Sequence, residues 1–119
     1  MITCASRRIE DELDILPPAL RDLLEDFGHW SAANRLPIPV VTCLRRTAEE
    51  NREIYGYDRD SLHLDGRALD LRTRHYTKLQ LDAVIHFFET KCKDRVIWEL
   101  VTKLHGTGPH IHIGLRRSE

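Results

Sequence analysis

The sequence predicts an α+β fold, a small antiparallel β-sheet with two long helices packed on one of its faces. Apolar residues recur at helical spacing in two segments, one after Pro17-Pro18 and one after Thr77. Four short segments, starting near Pro39, Arg67, Arg95 and His110, carry the alternating or β-branched pattern of strands. At 119 residues the chain can bury one hydrophobic core without staples, so a single domain over residues 1–119 is expected.

Each element has its own local reason. Residues 1–14 are polar and acidic and lack an apolar signal core. Proline is tolerated in a helix's first turn, so the first organised element begins at Pro17-Pro18. Leu20, Leu23, Leu24, Phe27 and Trp30 then form one apolar stripe; Trp30 reads as a packing residue and His29 as a surface one. The segment 34–39 breaks the pattern, and Val40-Val41-Thr42-Cys43-Leu44 reads as a strand. Thr47 followed by Glu50 is a capping box, which starts a helix at Thr47. A polar loop leads to Ser61. In Ala68-Leu69-Asp70-Leu71-Arg72, Leu69 and Leu71 face the core, while Ala68, Asp70 and Arg72 face the other way. Thr77 with Gln80 is a second capping box, and Leu81, Val84, Ile85 and Phe88 mark the second long helix. His75 and His86 read as solvated. Arg95 to Leu100 is the next strand, with Trp98 and Glu99 on opposite faces. In Pro109-His110-Ile111-His112-Ile113 the two histidines share one face and the two isoleucines the other.

These faces bring chemistry together. His63 lies seven positions before Asp70, an odd offset that one continuous strand would split between faces. Asp65-Gly66 supplies a turn, since glycine accepts backbone angles that other residues avoid. Folded back there, His63 approaches Asp70, and pairing of adjacent strands adds His112. Two imidazoles and a carboxylate, with a fourth position open to water, are the ligand set of catalytic zinc.

Ser61-Leu62-His63-Leu64-Asp65-Gly66-Arg67-Ala68-Leu69-Asp70 follows the pattern Ser-x-His-x-x-Gly-x-Ala-x-Asp, and His110-x-His112 closes it. The pair resembles the M15 group of zinc peptidases, the D-Ala-D-Ala carboxypeptidase type that includes phage L-alanyl-D-glutamate endopeptidases. It also resembles the hedgehog signalling domain, which shares that fold and zinc site. The matching segments run from about Val40 to Leu115. The resemblance implies that His63, Asp70 and His112 bind Zn2+ and that His110 lines the active site. It also implies that Arg46, at the exit of the first strand, points into the cleft to hold a substrate carboxylate or the oxyanion. Ser61 supports the turn or the substrate by hydrogen bonding. No Gly-x-Ser-x-Gly is present to make it a nucleophile.

A zinc peptidase needs a group that takes a proton from water and hands it to the leaving amine. In much of the M15 group that acid stands three residues before the last zinc histidine, where this chain has Pro109. Glu99 with His110 assisting is the favoured replacement, and His110 alone or His105 are the alternatives. The function implied is hydrolysis of peptidoglycan stem peptides by metal-activated water, as a DD- or LD-type carboxypeptidase or endopeptidase. The alternative is a catalytically idle zinc module of the same fold with a binding or phage-assembly role.

Composition narrows the partners. A net charge of −1 with both signs interspersed gives no basic stripe for nucleic acid. No run is long enough to span a membrane. Cys4, Cys43 and Cys92 have no paired metal spacing, and three is an odd number, so a reducing compartment and small packed or surface thiols are expected. Synthesis in the cytoplasm, with phage encoding or release to the cell wall, is the matching expectation for location. Gly106-Thr107-Gly108 matches no phosphate-binding fingerprint and reads as a flexible turn. Oligomeric state has no signature in the sequence.

Overall fold

Phe27 and Phe88, from the two predicted long helices, meet with ring centroids 4.6 Å apart, and around that contact the core is built. The computed structural model describes residues 2–44, 47–56, 62–102 and 110–117. Its elements in chain order are β1 (Thr3–Cys4), α1 (Arg7–Glu12), α2 (Pro18–Ala33), β2 (Val40–Cys43), α3 (Ala48–Tyr55), β3 (Ala68–Arg72), α4 (Lys78–Lys91), β4 (Trp98–Val101) and β5 (His110–Leu115). The five strands form one sheet in the order β1-β2-β3-β5-β4. Three of its pairings are antiparallel, and β1 joins β2 in parallel.

The predicted faces hold. Leu69 and Leu71 of β3 and Ile111 and Ile113 of β5 are buried in one cluster with Leu20, Leu23, Leu24 and Phe27 of α2 and Val84, Phe87 and Phe88 of α4. The helices therefore cover one face of the sheet, and burial of these large side chains, at about 1.5–3 kcal/mol each, is the main force holding sheet to helices. Trp30 packs on Phe27 and Phe87, as its place on the stripe requires. The Thr47 and Thr77 capping boxes both form, with the reciprocal bond from Glu50 and from Gln80.

Four details differ from expectation, each for a local reason. The chain organises before Pro17, because Ile2, Cys4, Ile9 and Leu13 each find a side of the core to pack against and Ser6 caps α1. The last sheet strand in sequence before β5 starts at Trp98, not Arg95. Asp94 takes the Val96 N–H on its side chain and the Trp98 N–H on its carbonyl, which makes 95–97 a turn and leaves Val96 exposed. His75 is half-buried against Tyr76 and donates from Nε2 to the Ile38 carbonyl, whereas His86 is exposed as expected. Finally, β2 is irregular between Val41 and Cys43, a point that matters below.

Candidate metal centre

The sheet face opposite the helices carries the predicted chemistry. Register pairs Asp70 of β3 with His112 of β5 and Arg72 with His110. Alternation then puts both histidines and Asp70 on one side while their isoleucine and leucine neighbours fill the core. His63 arrives differently from the expected neighbouring strand. It sits on a one-turn 3-10 helix, Leu62–Asp65, which Gly66 ends with φ +69°. Gly66 N–H donates to His63 O and Arg67 N–H to Leu62 O. The Arg67 guanidinium then donates to the carbonyls of Leu115 and Arg116, so the turn is fastened to the end of β5.

The Leu62 side chain of that turn occupies the space a side chain at residue 114 would take. A Cβ placed there would stand 2.6 Å from Leu62 Cδ1 and 3.4 Å from His112 Nε2. With no side chain at Gly114, Leu62 lies over β5, and His63, the next residue, stands beside Asp70.

The resulting geometry is tight. Asp70 Oδ1 is 3.1 Å from His63 Nε2 and 3.1 Å from His112 Nδ1. The imidazole centroids of His63 and His112 are 5.0 Å apart, edge to face. All three residues are buried, at 2%, 5% and 7% exposure for His63, Asp70 and His112. The outward nitrogens are engaged as well. His63 Nδ1–H donates to the Leu44 carbonyl at 2.6 Å, and His112 Nε2 lies 2.6 Å from Glu99 Oε1. Each ring is thus fixed by one nitrogen while the other is turned on Asp70, the outer-shell arrangement that orients metal-binding histidines. His110 Nε2 is 3.8 Å from the second Asp70 oxygen, Oδ2.

Electrostatics match this packing. Burial is the largest effect on His63 and opposes its charged form. Hydrogen bonding to Asp70, then to Cys43, outweighs it and raises the imidazole to about 10. Burial is also the largest effect on Asp70 and pushes upward. The bonds from His112 and His63 overcome it and hold the carboxyl well below the usual carboxylate range. In the metal-free chain, a carboxylate and protonated imidazole share the space where a dication's charge fits.

Cys43, expected from the sequence to be only a small packed or surface thiol, joins the group. The donor atoms of Cys43, His63 and Asp70 all lie within 4.8 Å of one another, and Cys43 Sγ is 3.7 Å from His63 Nδ1. No motif spacing signals Cys43. Strict alternation would send it to the same face as Val41, and only the irregularity in β2 turns it toward Asp70, its pairing partner. The group with that mutual spacing is Cys43, His63 and Asp70; His112 joins it through Asp70 Oδ1, which lies 3.1 Å from a nitrogen of each ring. Of the other expected site residues, Glu99 is present at His112. Arg46, Ser61, His105 and Pro109 lie outside the described residues.

The donor chemistry, two imidazole nitrogens and a carboxylate oxygen beside a thiol, fits Zn2+ and does not fit Mg2+ or Ca2+, which take oxygen sets. A family model described as Peptidase M15 matches residues 1–105. The matched span contains His63, Asp70 and Glu99 and stops before His110 and His112, which the strand register and the contact to Asp70 bring to the group. No curated protein and no solved structure matches the chain.

Proposed function

Because the chain belongs to the peptidase M15 family, we propose that it is a zinc-dependent peptidase acting on peptidoglycan stem peptides, with His63, Asp70 and His112 as metal ligands. The observation that supports this most is the position of Asp70 Oδ1, 3.1 Å from a nitrogen of each histidine. When bound, the zinc ion supplies Lewis acidity toward the scissile carbonyl and lowers the pKa of water. The chain's residues do the rest. The Leu44 carbonyl and Glu99 hold the two imidazoles in orientation. The core-facing packing of β3 and β5 holds the donors still, so little reorganisation accompanies the reaction.

Proton handling falls to Glu99 and His110. Glu99 Oε1 is committed to His112 Nε2, and its Oε2 lies 3.8 Å from Arg116 Nη1; to act as base it must give up the bond to His112. His110, beside the outer oxygen of Asp70 and only half-buried, can accept a proton and deliver it to the leaving amine without dismantling the ligand shell. We therefore assign Glu99 chiefly to orienting His112 and His110 to proton transfer. Arg46 and Ser61, by resemblance to the family pattern, bind the substrate carboxylate and the turn. The stem-peptide substrate also comes from that resemblance.

One observation favours a second reading, a zinc module with a binding or assembly role: Pro109 stands where the family pattern has an acid. Digestion of purified peptidoglycan and of D-Ala-ended peptides by the zinc-loaded protein, with mass measurement of products, separates the two. Release of peptide fragments, lost in His112→Ala, supports the peptidase. Intact substrate in the presence of stoichiometric zinc supports the module.

A further inference from the structure

Cys43 is brought to the candidate centre by a backbone irregularity and by nothing else in the sequence. Val41 pairs with Leu71 and stays in the core, and the register shifts before Cys43, which pairs with Asp70. Leu44 then returns to the core, and its carbonyl accepts the His63 Nδ1–H. One bulge thus presents both a thiol and the carbonyl that orients the nearest imidazole. Bulges placed beside functional groups re-aim single side chains in this way. The other cysteines lie elsewhere: Cys92 is within the apolar core and Cys4 packs against it.

We infer that Cys43 is a fourth protein donor to the metal held by His63, Asp70 and His112, an inference that rests on the zinc reading above. The spacing of at most 4.8 Å among the Cys43, His63 and Asp70 donors is about an ångström wider than the ~3.5 Å edges set by Zn–N, Zn–O and Zn–S bonds of ~2.0–2.3 Å. For the sulfur to bind, the Cys43 side chain must move toward the ion from its place 3.7 Å from His63 Nδ1. On binding, the sulfur–hydrogen bond breaks heterolytically, the sulfur keeps the electron pair as a thiolate, and the proton passes to solvent. A thiolate selects zinc and other borderline or soft ions over magnesium, calcium and manganese. Four protein donors close the coordination shell in the manner of structural zinc, whereas three leave a place for water. Cys43 therefore competes with the water that hydrolysis uses, and the resting site is closed until the sulfur leaves the ion.

Cobalt(II), a spectroscopic substitute for zinc, tests this directly. Metal-free full-length protein is titrated with cobalt(II) under reducing conditions, and its near-ultraviolet and visible spectra are recorded for wild type, Cys43→Ser and Cys4→Ser. The expected result is one cobalt per chain with a thiolate-to-cobalt charge-transfer band in wild type and Cys4→Ser. Cys43→Ser loses the band, still takes up one cobalt, and holds it about tenfold or more weakly in chelator competition. One bound cobalt in wild type without the charge-transfer band overturns the inference and leaves the zinc reading standing, as does a band that survives in Cys43→Ser. No cobalt uptake by wild type overturns both. Because the band is read in wild type, a poorly folding Cys43→Ser variant does not shield the inference from failure.

Discussion

At Asp70 a single carboxylate oxygen meets two imidazoles in a buried place, and the charge balance there makes the metal-free chain sensitive to pH. Asp70 is depressed and His63 raised to about 10, so the pair stabilises the fold only while both are charged. The Asp70 contribution is present above its unfolded value, ~3.9, and is lost as pH falls through its lower folded value. The His63 contribution is complete below its unfolded value, ~6.5, and is lost as pH rises through about 10. Urea denaturation of metal-free protein is expected to show this contribution at its greatest between about pH 4 and 6.5 and declining toward pH 10. Zinc should invert the alkaline limb, because proton and metal compete for His63 Nε2 and alkaline pH removes the proton. A metal-free stability that rises steadily from pH 7 to pH 10 would contradict the pairing. Glu99 gives a second test at this scale. Glu99→Gln keeps an oxygen to accept from His112 Nε2 but cannot take a proton, so zinc content should be unchanged and kcat should fall less than about tenfold. A loss of about 10²–10⁴-fold would make Glu99 the general base instead.

The elements show why the donors converge and which part of that was readable beforehand. Alternation in β3 and β5 was legible: Leu69, Leu71, Ile111 and Ile113 enter the core, which forces Asp70, His110 and His112 to the opposite face. The turn at Gly66 was legible too, because its φ of +69° is a conformation that glycine adopts readily. Two determinants were not. Gly114 reads as an unremarkable strand glycine, yet its missing side chain makes room for Leu62, a contact far away in sequence. The β2 bulge that turns Cys43 toward Asp70 leaves no mark in composition or spacing, since registers are settled by the partner strand. Gly114→Ala tests the first of these. The new methyl must push aside the end of the Leu62 side chain, and the expected cost is at most about 1 kcal/mol of stability, with zinc binding weakened as far as the His63 turn moves with Leu62. Unchanged zinc affinity and unchanged stability would show that the turn is not seated on Gly114. Helix starts were legible from Thr47 and Thr77, whose side chains and N3 partners close both capping boxes.

Across the whole molecule the sheet separates two jobs. Its helix-covered face holds the apolar cluster of α2, α4, β3 and β5, and the other face holds His63, Asp70 and His112. Small domains whose core is built around a metal unfold without it; here the core lies on the other side of the sheet and does not include the donors. Removing zinc with a chelator near neutral pH is therefore expected to leave the far-ultraviolet circular dichroism unchanged and to lower the melting temperature only by the linkage between binding and folding. Loss of helical signal on chelation would show that metal and core are one structure. Division of labour of this kind also explains the uneven legibility of the chain. Amphipathic stripes in α2 and α4 announce the core, while the donor cluster depends on residues that meet only when the strands are in register. The most direct test of the central claim is zinc content per chain in the purified protein and in Asp70→Asn and His112→Ala. One zinc per chain in wild type and none retained by either variant is the result predicted. Zinc at the wild-type level in both variants would contradict it, because the ion would then be held by residues other than the three that meet at Asp70.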